Sequence, residues 1–468
     1  MTGETQAERV TYDVVVIGCG MAGLAAGLAA AERDADVAVL EKSPEEHRGG
    51  HTRFTESFRV PTTELDLDYE FNVEYTSTDF YQDIMKLTNA RADDQLTKTV
   101  TEEAAPTLEW LSEYGIEWET SPPHPGYTAG RVWLDGEEFV SNLVEILKKQ
   151  GVDFYYNSPA RSLVQDENRR IVGVEAFVED ERTRFDADAV ILAAGDYGSS
   201  KEKRVRYYGT GYEHMKVRGS RYNTGEALDM ALDIDAKSEG EWSGAHMAII
   251  DAGSPDVEGG ITRIDGYQYG VIINQEGERF VDEGEDSRAH TYAKFGQRIF
   301  EQPYHEAFII VDSKVVDDVA HMGPSRPVTG DSIKELARRL DIENVEQTIE
   351  TIEEFNAACD PDEYRPNELD GNSAEGITPP KSNWALPLDE PPYRGYPVTG
   401  GYTFGFGGVG ITPEARVLDT RDEVIPGFYA AGNSTGGLFY ANYPGGTGLT
   451  NAAVFGRIAG ENAAEDIE

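Results

Sequence analysis

Residues 14–17 (VVVI) and 37–40 (VAVL) are short apolar runs bounded by Gly or charged residues. Such runs read as strands buried on both faces, the habit of a parallel sheet. The intervening MAGLAAGLAAAE is rich in Ala and Leu and predicts a helix, so residues 14–40 form a strand–helix–strand unit. Between residues 79 and 110, Ile84, Leu87, Leu96, Val100 and Leu108 recur at helical spacing and define a buried face. Residues 122–125 are a turn-rich break. Residues 137–150 read as an amphipathic helix, followed by strands at 152–156 and 171–178, with RTRFDAD continuing a small antiparallel unit. Further strands are expected at 189–192, 270–274, 307–312 and 427–431, and helices at 332–340 and 345–358. A Pro-rich, irregular stretch spans 360–397, and the chain closes in an amphipathic helix after the turn YPGGTG.

The first strand ends in Gly18-x-Gly20-x-x-Gly23. Gly18 permits the tight turn, Gly20 lets backbone approach a pyrophosphate, and Gly23 lets helix and strand pack closely. Met21 and Ala22 begin the helix whose N-terminal N–H groups and dipole favour phosphate. Glu41, at the end of the second strand, is placed to accept from a ribose hydroxyl, with Lys42 beside it. The loop Arg48, Gly49, Gly50, His51, Thr52 offers backbone to a ligand again. Two later strands also end in small residues, at Ala194-Gly195 and at Gly432-Asn433, and Gly448, Leu449 and Thr450 open the last helix. Three strand ends converging on one ligand suit a long cofactor such as FAD better than NAD. The glycines at 405–410 are the nearest thing to a second nucleotide turn, but Pro413 follows them and no helix does. The fold expected is α/β, a Rossmann-like FAD-binding domain, three-layered on a parallel sheet, interrupted by an α+β capping domain. The boundaries are 1–240 and 396–468 for the FAD-binding parts and 241–395 for the cap.

The 468 residues carry 86 acidic against 41 basic side chains, a net charge of −45. Apolar periodicity persists throughout, so the charge reads as a carboxylate-covered surface of halophilic type rather than as disorder. That surface argues against nucleic acid and anionic membranes as partners. Cys19 and Cys359 can build neither a disulfide framework nor a zinc site, so no metal is expected. No apolar run approaches the ~20 residues of a spanning helix, and a cytoplasmic location without direct membrane insertion is the expectation.

Taken together, the N-terminal fingerprint, RGGHT, VILAAGDYG, HMAII, INQEGERFVDE and GFYAAGN resemble the fumarate reductase/succinate dehydrogenase flavoprotein family across nearly the whole chain. RGSRYNTGEAL, EGGITRIDGYQYGVIIN and SNWALPLDEPPYRGY are similar to tricarballylate dehydrogenases, and NYPGGTGLTNAAVFGRIAG to ketosteroid dehydrogenases. The resemblance implies an FAD enzyme that interconverts CH–CH and C=C in a small carboxylate substrate, by hydride transfer to flavin N5, with an unidentified electron acceptor. Carboxylates call for bidentate Arg, and Arg218, Arg221, Arg263 and Arg288 lie in motif segments. Arg263 is the substrate-binding candidate, and His246 corresponds to a substrate-binding His of fumarate reductases. The register after RFVDE is displaced, so either Arg288 or His290 could shuttle the proton. The family's second His is missing from TFGFGG (403–408), and Tyr443 stands where fumarate reductases carry an Arg. Fumarate is therefore disfavoured against a tricarboxylate. Two alternatives stay open: Tyr443 polarising a ketone, or an electron-transfer subunit without its own substrate. His51 falls where succinate dehydrogenases join a His covalently to flavin, so a bond or a hydrogen bond is open there.

Overall fold

The computed structural model describes residues 8–71, 73–121 and 129–467. β1 (Glu8–Ile17) leads through Gly18 into α1 (Met21–Ala31) and β2 (Val37–Leu40). The two strands are parallel, with Val14 opposite Val37. Gly18 adopts φ +109°, and a Cβ there would lie 2.4 Å from the Ala193 carbonyl oxygen. A Cβ on Gly23 would lie 2.0 Å from the Gly18 carbonyl oxygen. Helix and strand therefore meet at backbone distance only because both positions lack side chains.

The periodic stretch after residue 79 divides into α2 (Ser77–Leu87) and two further helices, Asp94–Glu102 and Ala104–Glu113. Asn89 and Ala90 at positive φ break the first from the second, and Asp93 caps the second by accepting from the N–H groups of Gln95 and Leu96. Ile84, Leu96, Val100 and Leu108 are buried, while Leu87 is half-buried. The Pro-rich break at 122–125 lies outside the described residues. α3 (Gly136–Lys149), capped by Asp135, precedes β3 (Asp153–Tyr155) beside β2. An antiparallel meander of Ala160–Gln165 and Ile171–Val178 turns into β4 (Glu181–Leu192). β4 also runs parallel to β1, with Val14 opposite Ala189.

The central region adds β5 (Ser238–Asp251), β6 (Val271–Asn274), α4 (Arg288–Phe300), β7 (Glu306–Val311) and β8 (Tyr393–Val409). Their strands form an antiparallel sheet in the order β5-β8-β7-β6. The helices Ile333–Arg339 and Val345–Ala358 stand where the pattern placed them. Gly405 to Val409 extend β8 opposite β5 instead of turning around a phosphate. The irregular stretch likewise ends at Tyr393, where β8 begins. α4 packs tightly on this sheet, since a Cβ on Gly296 would lie 2.2 Å from the Met247 carbonyl oxygen.

β9 (Val424–Ala430) returns beside β4, Phe428 opposite Val190, and α5 (Thr447–Glu465) closes the chain. The parallel sheet is thus β9-β4-β1-β2-β3. α5 crosses α1 at Gly456 and Gly460, where added Cβ atoms would meet the Ala22 and Ala26 carbonyl oxygens at 2.4 and 2.2 Å.

Candidate functional site

A cavity of about 390 Å³ runs between the parallel sheet and the central region. At one end it is lined by Glu41, Lys42, Ser158, Arg161 and Glu226, and at the other by Arg218, His246, Arg263, Arg288 and Tyr443. Gly18, Ala194, Gly195, Gly432 and Asn433 bring the ends of β1, β4 and β9 to its wall, as the small-residue endings implied. Gly20, Met21 and Ala22 place the α1 N-terminus there, and Gly448 and Leu449 that of α5. Neither N-cap residue, Gly20 or Gly446, supplies a side-chain cap. Two N-termini opening on one cavity suit electron-rich ligand groups. Gly50 faces the cavity at φ +52° with no atom within 4 Å of a Cβ built there.

Glu41 is buried and accepts from the N–H groups of Cys19 (3.0 Å) and Ser43 (2.7 Å), which fixes its carboxylate at the cavity wall. Burial raises its pKa, with those N–H groups working against the rise. Lys42 turns onto Glu226 at 2.9 Å. Thr52 Oγ1 accepts the Met21 N–H at 2.8 Å, tying the Arg48–Thr52 loop to the helix start. Asn223 Oδ1 is a buried acceptor without a partner among the described residues, and it belongs to the lining. These residues fit an FAD.

Other expected cofactor residues stand behind the wall. Gly23 is the helix–strand contact, and a side chain on Gly49 would strike Val140. Arg48 binds the Glu45 carbonyl (2.9 Å), and Thr450 Oγ1 binds the Arg59 carbonyl (2.8 Å). Asp196, fully buried behind the wall, carried no sequence signal of its own. It accepts from Tyr402 Oη (2.6 Å), Gly198 N (3.2 Å), Asn223 Nδ2 and the Gly405 N–H.

His51 lies in the lining, its ring packed against the Gly219 backbone. Ser220 N is 3.3 Å from Nδ1, and Asn223 Nδ2 is 3.3 Å from Nε2. Burial lowers the pKa and keeps the ring neutral. A neutral imidazole keeps a lone pair on one ring nitrogen only, and whichever nitrogen carries it faces an N–H donor, so no lone pair is left free to attack a flavin. Acid precipitation of the FAD-loaded protein should therefore leave the yellow colour in the supernatant. Colour that stays with the precipitate, and disappears in His51→Ala, would establish a covalent bond instead.

The far end is cationic. Arg218 is 6 % exposed and donates to Thr403 Oγ1 (2.9 Å) and to the Gly260 carbonyl (3.1 Å). It makes no ion pair among the described residues, although Arg263 stands close enough to repel it. Burial, reinforced by Arg263, pulls its pKa down to about 10. Arg263 pairs with Glu56 and with Asp265 (3.3 Å), and Arg288 reaches the same Asp265 at 2.7 Å. Arg221 pairs with Glu258 at the surface and does not line the cavity.

His246 is 2 % exposed, and neither of its ring nitrogens has a partner among the described residues. Burial, helped by Arg218, Arg263 and Arg288, holds its pKa well below the usual His range, so the ring is neutral. It faces Tyr443 and Tyr292 at ring distances of 4.6 and 4.9 Å. Tyr443 Oη is 2.9 Å from Tyr292 Oη and accepts the Gly446 N–H at 3.0 Å. Burial and Tyr292 push the Tyr443 phenol up, so it stays protonated. His290 does not line the cavity; its ring sits between Asp83 and Asp286.

Tyr292, Glu56, Arg131 and Phe404 also line this end and carried no sequence signal of their own. Tyr292 would have been found with α4, four residues after Arg288 and hence on the same helix face.

The FAD binding domain family matches residues 13–449. A probable fumarate reductase of Shewanella frigidimarina is 29% identical over 97% of this chain and 75% of its own. A vinyl phenol reductase of Lactiplantibacillus plantarum is 26% identical over 98% of each. The open conformation of a flavocytochrome c3 fumarate reductase superposes with a TM-score of 0.75 at 26% identity, covering 99% of this chain and 79% of that one. No helix among the described residues is long and apolar enough to cross a membrane.

Proposed function

The chain belongs to the FAD-binding-domain family, and from that premise we propose that it interconverts CH–CH and C=C bonds in a carboxylate substrate. One observation carries this reading: Arg218 is a buried guanidinium in the cavity that makes no ion pair among the described residues. Such a charge is costly unless a ligand completes it. A substrate carboxylate accepting two parallel N–H bonds is the group that does so.

Bound FAD supplies the hydride acceptor, or the donor in the reverse direction. Arg218 and Arg263 hold the carboxylate and draw electron density from it, which acidifies the neighbouring C–H. His246, kept neutral, can donate or accept a hydrogen bond without adding charge. Arg288 stands at the wall with Nε donating to Asp265 at 2.8 Å. That carboxylate holds the guanidinium in place, where it can donate the proton that the saturated product gains; in the oxidising direction it can take a proton only after passing one of its own to Asp265. Tricarballylate, implied by the motif resemblance, is the first acid to test.

The paired hydroxyls of Tyr443 and Tyr292 favour a second reading, in which Tyr443 donates to a ketone and a carbonyl activates the adjacent carbons. Anaerobic titration of the FAD-loaded enzyme separates the two. Bleaching near 450 nm by a saturated acid (or reoxidation of reduced enzyme by the unsaturated one) supports the carboxylate reading. Bleaching by saturated ketones alone favours the tyrosine pair, and no response to either class ends both.

A further inference from the structure

α4 carries Arg288 and Tyr292 into the cavity, and His290 stands between them in sequence with its ring outside. That ring is gripped by two carboxylates. Nδ1 is 3.2 Å from Asp286 Oδ1, and Nε2 is 3.4 Å from Asp83 Oδ1. Asp83 lies on α2 in the FAD-binding part and also accepts from Arg59 Nη1 (2.6 Å) and Tyr75 Oη (2.7 Å). A second crossing joins Lys86 of α2 to Asp286 at 2.6 Å. The His290 carbonyl accepts Asn442 Nδ2 at 2.6 Å, one residue before Tyr443. α2, the start of α4 and the segment carrying Tyr443 therefore meet at one histidine.

We propose that His290 is a positioning residue: as an imidazolium bridging Asp83 and Asp286, it clasps α4 to α2 and so fixes Arg288 and Tyr292 at the cavity. The importance of those two side chains rests on the function proposed above; the clasp itself does not. Only the imidazolium offers an N–H donor at both ring nitrogens, so losing its proton removes one of the two bonds.

The groups facing His290 set the direction of its titration. Burial lowers its pKa and Arg59 acts the same way, but hydrogen bonds to Asp286 and Asp83 outweigh both and raise it above 6.5. Burial also works against Asp83 and Asp286. His290, with Arg59 at the first and Lys86 at the second, nevertheless holds both carboxyls well below their usual range. They stay charged while His290 titrates, and Tyr75, pushed up chiefly by burial, stays protonated. A folded-state pKa above the unfolded one gives a contribution fully present below 6.5 and lost as pH rises through the folded value.

The test is hydrogen exchange of the α4 backbone in the FAD-loaded protein from about pH 6 to about pH 9, with rates corrected for intrinsic pH dependence. Protection of residues 289–294 should fall about tenfold across the transition, the worth of one charge-assisted hydrogen bond. His290→Gln should show the lower protection already at the acid end and no transition. Flat protection in the unaltered protein overturns the clasp, and so does a transition that persists in His290→Gln. If the variant does not fold, the titration of the unaltered protein decides alone. A transition in a protein that no acid bleaches leaves the clasp standing and ends the proposed function. Bleaching by an acid with flat protection ends the clasp only.

Discussion

Replacing Arg218 by Met should cut kcat/KM for the carboxylate substrate by about 10²–10⁴-fold while FAD stays bound. Two charge-assisted hydrogen bonds of about 1.5–3 kcal/mol each are lost, at about 1.4 kcal/mol per tenfold. Arg263 cannot replace the lost contacts alone, because it shares its N–H groups with Glu56 and Asp265, and Arg288 is held by the same Asp265. Even at a pKa of about 10, Arg218 is fully charged at neutral pH. Arg218→Lys should recover little, since an ammonium lacks the planar fork that matches a carboxylate. Steady-state kinetics on folded, FAD-loaded variants decide the matter. Kinetics within a few-fold of the unaltered enzyme would reduce Arg218 to a packing residue.

Stability should rise steeply with salt. With 86 acidic and 41 basic side chains, ion pairing cannot neutralise the surface whatever its geometry. Exposed pairs such as Lys98–Asp94, each side chain 55% exposed, contribute little in any case. Self-repulsion therefore falls mainly to salt, whose screening length shortens from about 10 Å at 0.1 M to about 3 Å at 1 M. The same screening should speed the approach of an anionic substrate to an anionic protein. Thermal unfolding followed in low and in molar KCl is the measurement. A midpoint that stays put would refute the halophilic reading of the composition.

Much of this molecule is dictated locally. A run of Val and Ile can hide only in a sheet, and Gly18 and Gly23 are the residues that tolerate the Ala193 and Gly18 carbonyls at contact distance. Strand, turn, helix and strand follow from neighbours in sequence, so the elements that line one half of the cavity were legible, down to Glu41 and the small-residue ends of β4 and β9. α4 was not, because Arg288, His290, Lys294 and Arg298 interrupt its apolar positions and three side chains that carry polar groups, Arg288, Thr291 and Tyr292, are buried. Such a helix shows no plain stripe until its partners are known.

The chemistry of the charged residues was decided by the tertiary structure alone. Sequence placed Arg218, Arg221, Arg263 and Arg288 in motif segments and favoured Arg263 for the substrate, with Arg288 as a candidate proton shuttle. The fold gave Glu258 to Arg221 at the surface, shared Asp265 between Arg263 and Arg288, and left Arg218 in the cavity without an ion pair among the described residues. It likewise took His290 out of the cavity and set it between Asp83 and Asp286, and it set an N–H donor opposite each nitrogen of His51, so that either tautomer's lone pair is met. The reason is physical: backbone conformation answers to nearest neighbours, whereas a side chain's charge and hydrogen bonding depend on groups far away in sequence, 207 residues in the case of Arg263 and Glu56.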